Sequence, residues 1–300
     1  MLNRINISNS LMKDFDDYMK GLFCGKLFRE RHVLRAEDAY ASSEAFNLGH
    51  WTEYMIAGGL PRSREAPLPD ILKSAKNPEV WSDVPPGNPN ENPDLPQELI
   101  DAVPGIGAGY RKMIPHILAF RKAFNKLEYT IIDTGVTWVA KTKEGVMVKG
   151  ILDYLVEDAQ GNPVIIDQKT SAKIDNKWDE MGWYDEFLYK RHKLLSQAVV
   201  YKWLGMQRYG QNIPFEFWVA STQDSVKRKR FRVKVSKDVM DRFSGKHGGS
   251  SKPDFVMDMM KQSEVYGWTP YPSPDRCADC PINHRCEFYQ EVPDVVTITY

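Results

Sequence analysis

The chain has 300 residues, 42% of them hydrophobic and 27% charged, and its 40 basic side chains match its 40 acidic ones. That composition belongs to a globular chain able to bury a substantial core, and it excludes a polyanion-binding role carried by global charge, so any nucleic acid must meet a local patch. No run of about eighteen apolar residues is present to cross a membrane, the opening MLNRINISNS lacks a secretion profile, and four cysteines are too few for a disulfide scaffold; the expectation is a cytoplasmic protein with no membrane partner.

Taken in chain order, Leu11, Phe15, Tyr18, Met19 and Leu22 recur at helical spacing, which predicts a helical segment from Ser8 to about Val33, with Ser8 or Ser10 as N-cap and Cys24 in its later part. A second helix is expected from Ser42 or Ser43 to about Ala57, stopped by Gly58-Gly59 and carrying His50. Residues 60–97, culminating in VPPGNPNENPDLP, read as a long irregular excursion. Helices over Gln97–Val103 and Tyr110–Phe124 flank the turn Pro104-Gly105-Ile106-Gly107. Strands follow at Gly135–Lys141, Val148–Glu157 and Val164–Lys169, the last two joined by the turn chemistry of Asp158-Ala159-Gln160-Gly161-Asn162. After a polar, aromatic-rich stretch over 170–190 come a helix at Leu194–Met206, strands at Pro214–Ser221 and Arg230–Ser236, and helices near Lys237–Phe243 and Asp254–Val265. This order predicts an α/β fold with helices packed on a mixed central sheet.

Asp153 falls inside one predicted strand and Asp167 near the end of the next. Alternate side chains of a strand share a face, so Asp167 and Lys169 point one way and Gln168 the other. Two carboxylates able to hold a hard cation, with an ammonium beside them, suit phosphodiester hydrolysis: the metal polarises the phosphate and acidifies a water, while Lys169 steadies the developing charge. An isolated D-x-K is more often a polar strand end. Gln197 and Tyr201, four apart, share a helix face and either contact the substrate phosphate or lie half-buried on an amphipathic helix. Lys227-Arg228-Lys229-Arg230 is the densest positive charge, a phosphate-backbone groove or a solvated hairpin. Arg111 and Lys112 follow the Gly-rich turn, which resembles a helix-hairpin-helix or serves as a plain linker. Trp178, Trp183, Tyr184, Phe187 and Tyr189 stack bases or fill a core. Cys277-x2-Cys280-x5-Cys286 can wrap one face of a metal centre, with Cys24 standing alone near the start; zinc and buried free thiols are the competing readings.

Leu48-Gly49-His50, Gly150-Ile151-Leu152-Asp153, Asp167-Gln168-Lys169 and Gln197-Ala198-Val199-Val200-Tyr201 follow one another in an order that resembles the RecB-type branch of the PD-(D/E)XK nuclease superfamily. That pattern runs from a helix histidine through a G-x-x-D strand and a (D/E)-x-K strand to a Q-x-x-x-Y helix; here the glycine directly adjoins His50. The resemblance implies a restriction-endonuclease-like single domain over residues 1–300: a helical region 1–125 with the insertion 60–97, the nuclease core 126–245, and a cysteine-rich tail 246–300. It implies that His50, Asp153, Asp167 and the backbone carbonyl of Gln168 hold Mg²⁺ or Mn²⁺, with Lys169, Gln197 and Tyr201 completing the catalytic set. The one-plus-three cysteines are similar to those of the iron-sulfur nucleases of the branch, which implies a [4Fe-4S] cluster on Cys24, Cys277, Cys280 and Cys286, zinc being the alternative. The implied function is a metal-dependent DNA exonuclease in recombination, repair or end processing, similar also to RecE-type phage exonucleases and so compatible with a host cytoplasm and a recombination or annealing partner. The alternatives are a catalytically idle nucleic-acid-binding scaffold and a zinc-stapled endonuclease.

Overall fold

The computed structural model describes residues 2, 5–36, 39, 48–49, 52–53, 56–57, 108–172, 174, 188–224, 226–246, 248–270, 277 and 280–287, without the side chains of 108–112, 114 and 188–194. The chain divides into two compact units, one of Met1–Ser42, Ala140–Lys149 and Asp241–Tyr300, the other of Ser43–Val139 and Gly150–Met240. The Pro-rich excursion over 60–97, the helix expected at Gln97–Val103 and the turn at Pro104–Gly107 fall outside the described residues, as do Trp178, Trp183, Tyr184, Phe187 and the side chain of Tyr189.

In the first unit, β1 (Ile7–Ser8) lies parallel to the start of β3, Ile7 opposite Val148. Helix α1 (Asn9–Met19) is capped by Ser8, whose Oγ accepts from Leu11 N–H at 3.1 Å. The expected helical segment does not run unbroken to Val33. Gly21 takes φ +69°, a conformation glycine adopts without steric cost, and the chain restarts at Cys24 as α2 (Gly25–Phe28), which continues into a π-helical turn, Arg29–Leu34. Gly25 makes the restart possible: its N–H donates to Thr269 O at 3.1 Å, and a Cβ there would stand 2.4 Å from that oxygen. Phe28 is wholly buried between Phe15, Tyr18 and Trp268, with ring centroids 5.5, 6.1 and 5.0 Å away. Helix α6 (Lys252–Tyr266) is capped by Ser251.

The second unit is built on the mixed sheet the sequence predicts. Strands β2 (Thr130–Lys141) and β3 (Met147–Glu157) pair, β3 runs antiparallel to β4 (Pro163–Ser171), β4 parallel to β5 (Phe215–Ser221), and β5 antiparallel to β6 (Arg228–Arg232). The β3–β4 turn closes as its residues dictate, with Asp158 Oδ1 accepting from the N–H groups of Gln160 and Asn162 and Gly161 at φ +77°. Strand β5 is buried along its full length, the expectation for a central strand covered on both faces. One face carries α3 (Ala108–Lys126): Met113, Ile117, Phe120 and Phe124 pack with Tyr154, Ile166, Trp218 and Ala220. The other carries α4 (Leu188–Tyr209), brought close by Gly150, where a Cβ would stand 2.7 Å from Leu204 Cδ1 and 2.8 Å from Tyr201 Cε1. Helix α5 (Lys237–Phe243) follows the sheet.

Candidate active site

The β3–β4 register, Tyr154 opposite Ile166, carries on to bring Asp153 opposite Asp167. Both carboxylates therefore project on the face that α4 covers, with Lys169 two residues further along β4. Asp167 is 1% exposed and takes the Lys169 ammonium on Oδ2. Its other oxygen accepts from Gln197 Nε2 at 2.6 Å. Asp153 Oδ2 accepts from the Gln168 backbone N–H at 2.8 Å. Tyr201 accepts from Gln197 Nε2 at 3.3 Å and donates its hydroxyl proton to Ile151 O at 2.7 Å. The absent side chain at Gly150 is what lets the Tyr201 ring reach that carbonyl.

The electrostatics follow from burial. Desolvation, reinforced by the Asp153 charge and only partly offset by Lys169, pushes the Asp167 carboxyl up to about 7. Burial would lower the Lys169 ammonium, yet the two aspartates hold it above its ordinary value. The Tyr201 hydroxyl is raised, by burial first and then by Asp167 and Asp153. Two facing carboxylates, one retaining a proton near neutrality, form a site that favours an added cation, and oxygen donors of this kind suit a hard divalent ion. Among the described residues no group of three or more His, Cys, Asp or Glu side chains stands ready to hold one.

Glu53 is a site residue that the sequence reading passed over. It is 5% exposed, its backbone oxygen accepts from Tyr154 OH at 2.7 Å, and its charge helps raise both Lys169 and Tyr201. The signal was its place three residues after His50, one helical turn along the same face. His50 lies outside the described residues; its neighbour Gly49 faces Thr170 Oγ1, 3.8 Å from where a Cβ would be. Gln168 turns its side chain to the opposite face, buried, with Nε2 lacking a partner among the described residues.

Within the basic run, Arg230 is turned to an internal partner. Glu216 is fully buried and accepts from Arg230 Nε and Nη2 at 2.6 and 2.7 Å, Arg232 Nε at 2.9 Å and Trp218 Nε1 at 2.9 Å. Arg230, expected at a phosphate groove, is thus committed to an internal carboxylate and lies over the rings of Tyr129 and Trp218. Lys227 Nζ stands 3.9 Å from Asp224. The Lys112 side chain is outside the described residues.

The four cysteines belong to the first unit. Turn hydrogen bonds link Cys280 N to Cys277 O, Asn283 N to Cys280 O and Cys286 N to Asn283 O. Two ion pairs tie this segment to the helix that begins after Cys24: Arg285 to Glu30 and Lys26 to Glu287, each 2.9 Å. Burial raises the Cys280 thiol, and Cys24, Cys286 and Cys277 each raise it further, so all four sulfurs fall within electrostatic reach.

No curated protein matches the sequence. A solved structure named "Putative exonuclease" from Eubacterium rectale superposes with a TM-score of 0.54 at 19% identity, covering 99% of this chain and 92% of that one, a likeness of fold. A second, named SSO0001, covers 59% of this chain and 70% of its own at 11% identity and a TM-score of 0.31, too low to carry an argument. The sequence model of the PD-(D/E)XK nuclease superfamily matches residues 22–287, and the chain belongs to that superfamily.

Proposed function

We propose that the protein is a divalent-metal-dependent deoxyribonuclease of the exonuclease kind, acting in DNA recombination, repair or end processing. The observation that carries this reading is the meeting of Asp153, Asp167 and Lys169 under Gln197 and Tyr201 on one buried face. Asp153, Asp167, the Gln168 carbonyl and His50 would hold Mg²⁺ or Mn²⁺, which supplies Lewis acidity toward the scissile phosphate. The chain's own groups do the remainder. Gln197 fixes the Asp167 carboxylate, Tyr201 anchors Gln197 to β3, and Lys169, exchanging Asp167 for the reacting phosphate, offsets negative charge as it develops. An idle scaffold would have no physical use for two buried like charges.

The four cysteines would hold a [4Fe-4S] cluster, with zinc as the alternative; what supports a shared centre is that Cys24, Cys286 and Cys277 all lie near enough to act on the Cys280 thiol.

The test is cleavage of end-labelled linear and closed circular DNA by anaerobically purified protein with Mg²⁺ or Mn²⁺. Linear ends are expected to be consumed and circles spared, with D167A and K169A each slowed by about a thousandfold while remaining folded. Full activity in either variant removes the mechanism, and circles cut as fast as ends replace exonuclease by endonuclease.

A further inference from the structure

Strand β4 ends on a hydroxyl that the fold does not use. The β4–β5 register runs unbroken from Ile165 opposite Phe215 to Ser171 opposite Ser221, so the alternation that sets Asp167 and Lys169 on one face carries on to Ser171. Ser171 is 9% exposed, and its Oγ is buried without a hydrogen-bond partner among the described residues. Its backbone is held in place, because Ser171 O accepts from Thr222 N–H at 3.0 Å. Ser221, opposite it, shows the contrast: that Oγ accepts from the N–H groups of Gln223 and Asp224 at 3.1 and 3.0 Å and closes the hairpin. A buried hydroxyl without a partner costs stability, and alanine would occupy the position without that cost. Folding alone therefore gives no reason for a serine here.

The neighbouring Lys169 supplies one. Both oxygens of Asp167 are engaged, Oδ1 by Gln197 Nε2 and Oδ2 by the Lys169 ammonium. Where Asp167 Oδ2 serves as a ligand to a divalent cation, the ammonium on the same oxygen is repelled and has to move. Beside the buried Asp167 it needs an acceptor wherever it goes. Ser171 stands two residues further along the same face, about 6.6 Å at the rise of a strand, a span that the four-carbon lysine stem covers. Its Oγ has lone pairs to offer, and an ammonium has three N–H donors. One N–H placed on Ser171 leaves two for the reacting phosphate.

We propose that Ser171 is a positioning residue whose Oγ receives the Lys169 ammonium when Asp167 ligates a cation, and so aims that ammonium at the scissile phosphate. This inference rests on the nuclease reading and deepens it by naming what holds Lys169 in its working position. Ser171 itself touches neither phosphate nor cation, which is why its hydroxyl can be buried.

The test compares wild type, S171A, S171T, K169A and the double variant K169A/S171A. Without added cation, S171A is expected to melt at or above wild type, because it no longer buries an unpartnered hydroxyl. Titration with Ca²⁺, followed by the rise in melting temperature, should show a midpoint about tenfold higher in S171A than in wild type, the displaced ammonium having lost its acceptor. On a single-stranded oligonucleotide with Mg²⁺, S171A should lose about tenfold in kcat at unchanged KM, and S171T should recover most of the loss. In the K169A background, removing the Ser171 hydroxyl should change neither the Ca²⁺ midpoint nor the rate. Melting of S171A below wild type without cation makes Ser171 a structural residue and overturns the proposal, as does a loss that persists in full in K169A/S171A. If wild type cuts no DNA, the nuclease reading falls and takes the proposal with it; if wild type cuts and S171A matches it in kcat and in Ca²⁺ midpoint, the proposal alone falls.

Discussion

A carboxyl held up to about 7 behaves unlike an ordinary aspartate at neutral pH. Asp167 titrates near 3.8 when exposed and about 7 when folded, so between those values the folded chain binds a proton that the unfolded chain has released. The sign is therefore opposite to that of a salt-bridged surface acid: without metal, this group takes stability away as pH rises from about 4 to about 7, and the loss is complete above that. Asparagine has the same shape and no charge to bury. The D167N protein is expected to melt above metal-free wild type at about pH 8, with the difference closing as pH falls toward 4. The same proton competes with a cation, so added Mg²⁺ or Mn²⁺ should raise the wild-type melting temperature at pH 8, do so less at pH 6, and leave D167N unchanged. Thermal melts across pH, with and without metal, check all three; a D167N protein that melts below wild type at every pH would show that the charge is already compensated within the fold.

Among the elements, the β5–β6 hairpin shows where a basic run is structural. Burial alone would raise the Glu216 carboxyl, but hydrogen bonds from Arg230, Trp218 and Arg232 hold it below the ordinary carboxylate range. Its contribution is thus present at neutral pH and lost as pH falls through that lowered value, the reverse of Asp167. Removing one arm leaves a fully buried carboxylate short of donors, so R230M should cost on the order of 3 kcal/mol in urea denaturation, with little change in DNA binding. A destabilisation within about 0.5 kcal/mol, or a loss of DNA binding of about tenfold, would return Arg230 to the phosphate groove. This pairing was not legible in the sequence because Glu216 lies 14 and 16 positions before its two arginines, and only the strand register joins them. The β3–β4 hairpin was legible, since alternation and the Asp158–Gly161 turn chemistry are local. The helical segment expected from Ser8 to Val33 breaks at Gly21 and restarts at Cys24 for a tertiary reason, the close approach of Gly25 to Thr269. Glu53 escaped notice for a similar cause: a motif names its own positions, and burial beside Tyr154 cannot be seen in a string of residues.

For the molecule as a whole, the question is what holds the two ends of the chain in one unit. Met1–Ser42 and Asp241–Tyr300 share that unit, and bringing together segments so far apart in sequence carries a loop-closure cost that grows with the logarithm of the span. Two of the links that offset it around the cysteines are modest: Arg285–Glu30 and Lys26–Glu287 are partly exposed ion pairs, worth about 0–1 kcal/mol apiece. The aromatic packing of Phe28 with Phe15, Tyr18 and Trp268 contributes more, but it joins α2 to the chain before residue 271, not to the cysteine segment itself. Ile282 is buried as well, and an inorganic cluster ligated by all four thiolates would add a covalent cross-link to these contacts. The expected consequence is that C280A, purified without oxygen, is colourless, contains little iron, melts several degrees lower than wild type, and is cut by protease beyond Tyr266 much faster than the brown wild-type protein. Iron and zinc analysis, the visible spectrum and mass spectrometry of the cleavage products read these outcomes separately. A wild-type protein that carries one zinc and no iron replaces the cluster by a structural zinc, and a C280A protein that keeps its metal, colour and protease resistance means that Cys280 is not a ligand and that the other contacts suffice to hold the chain ends together.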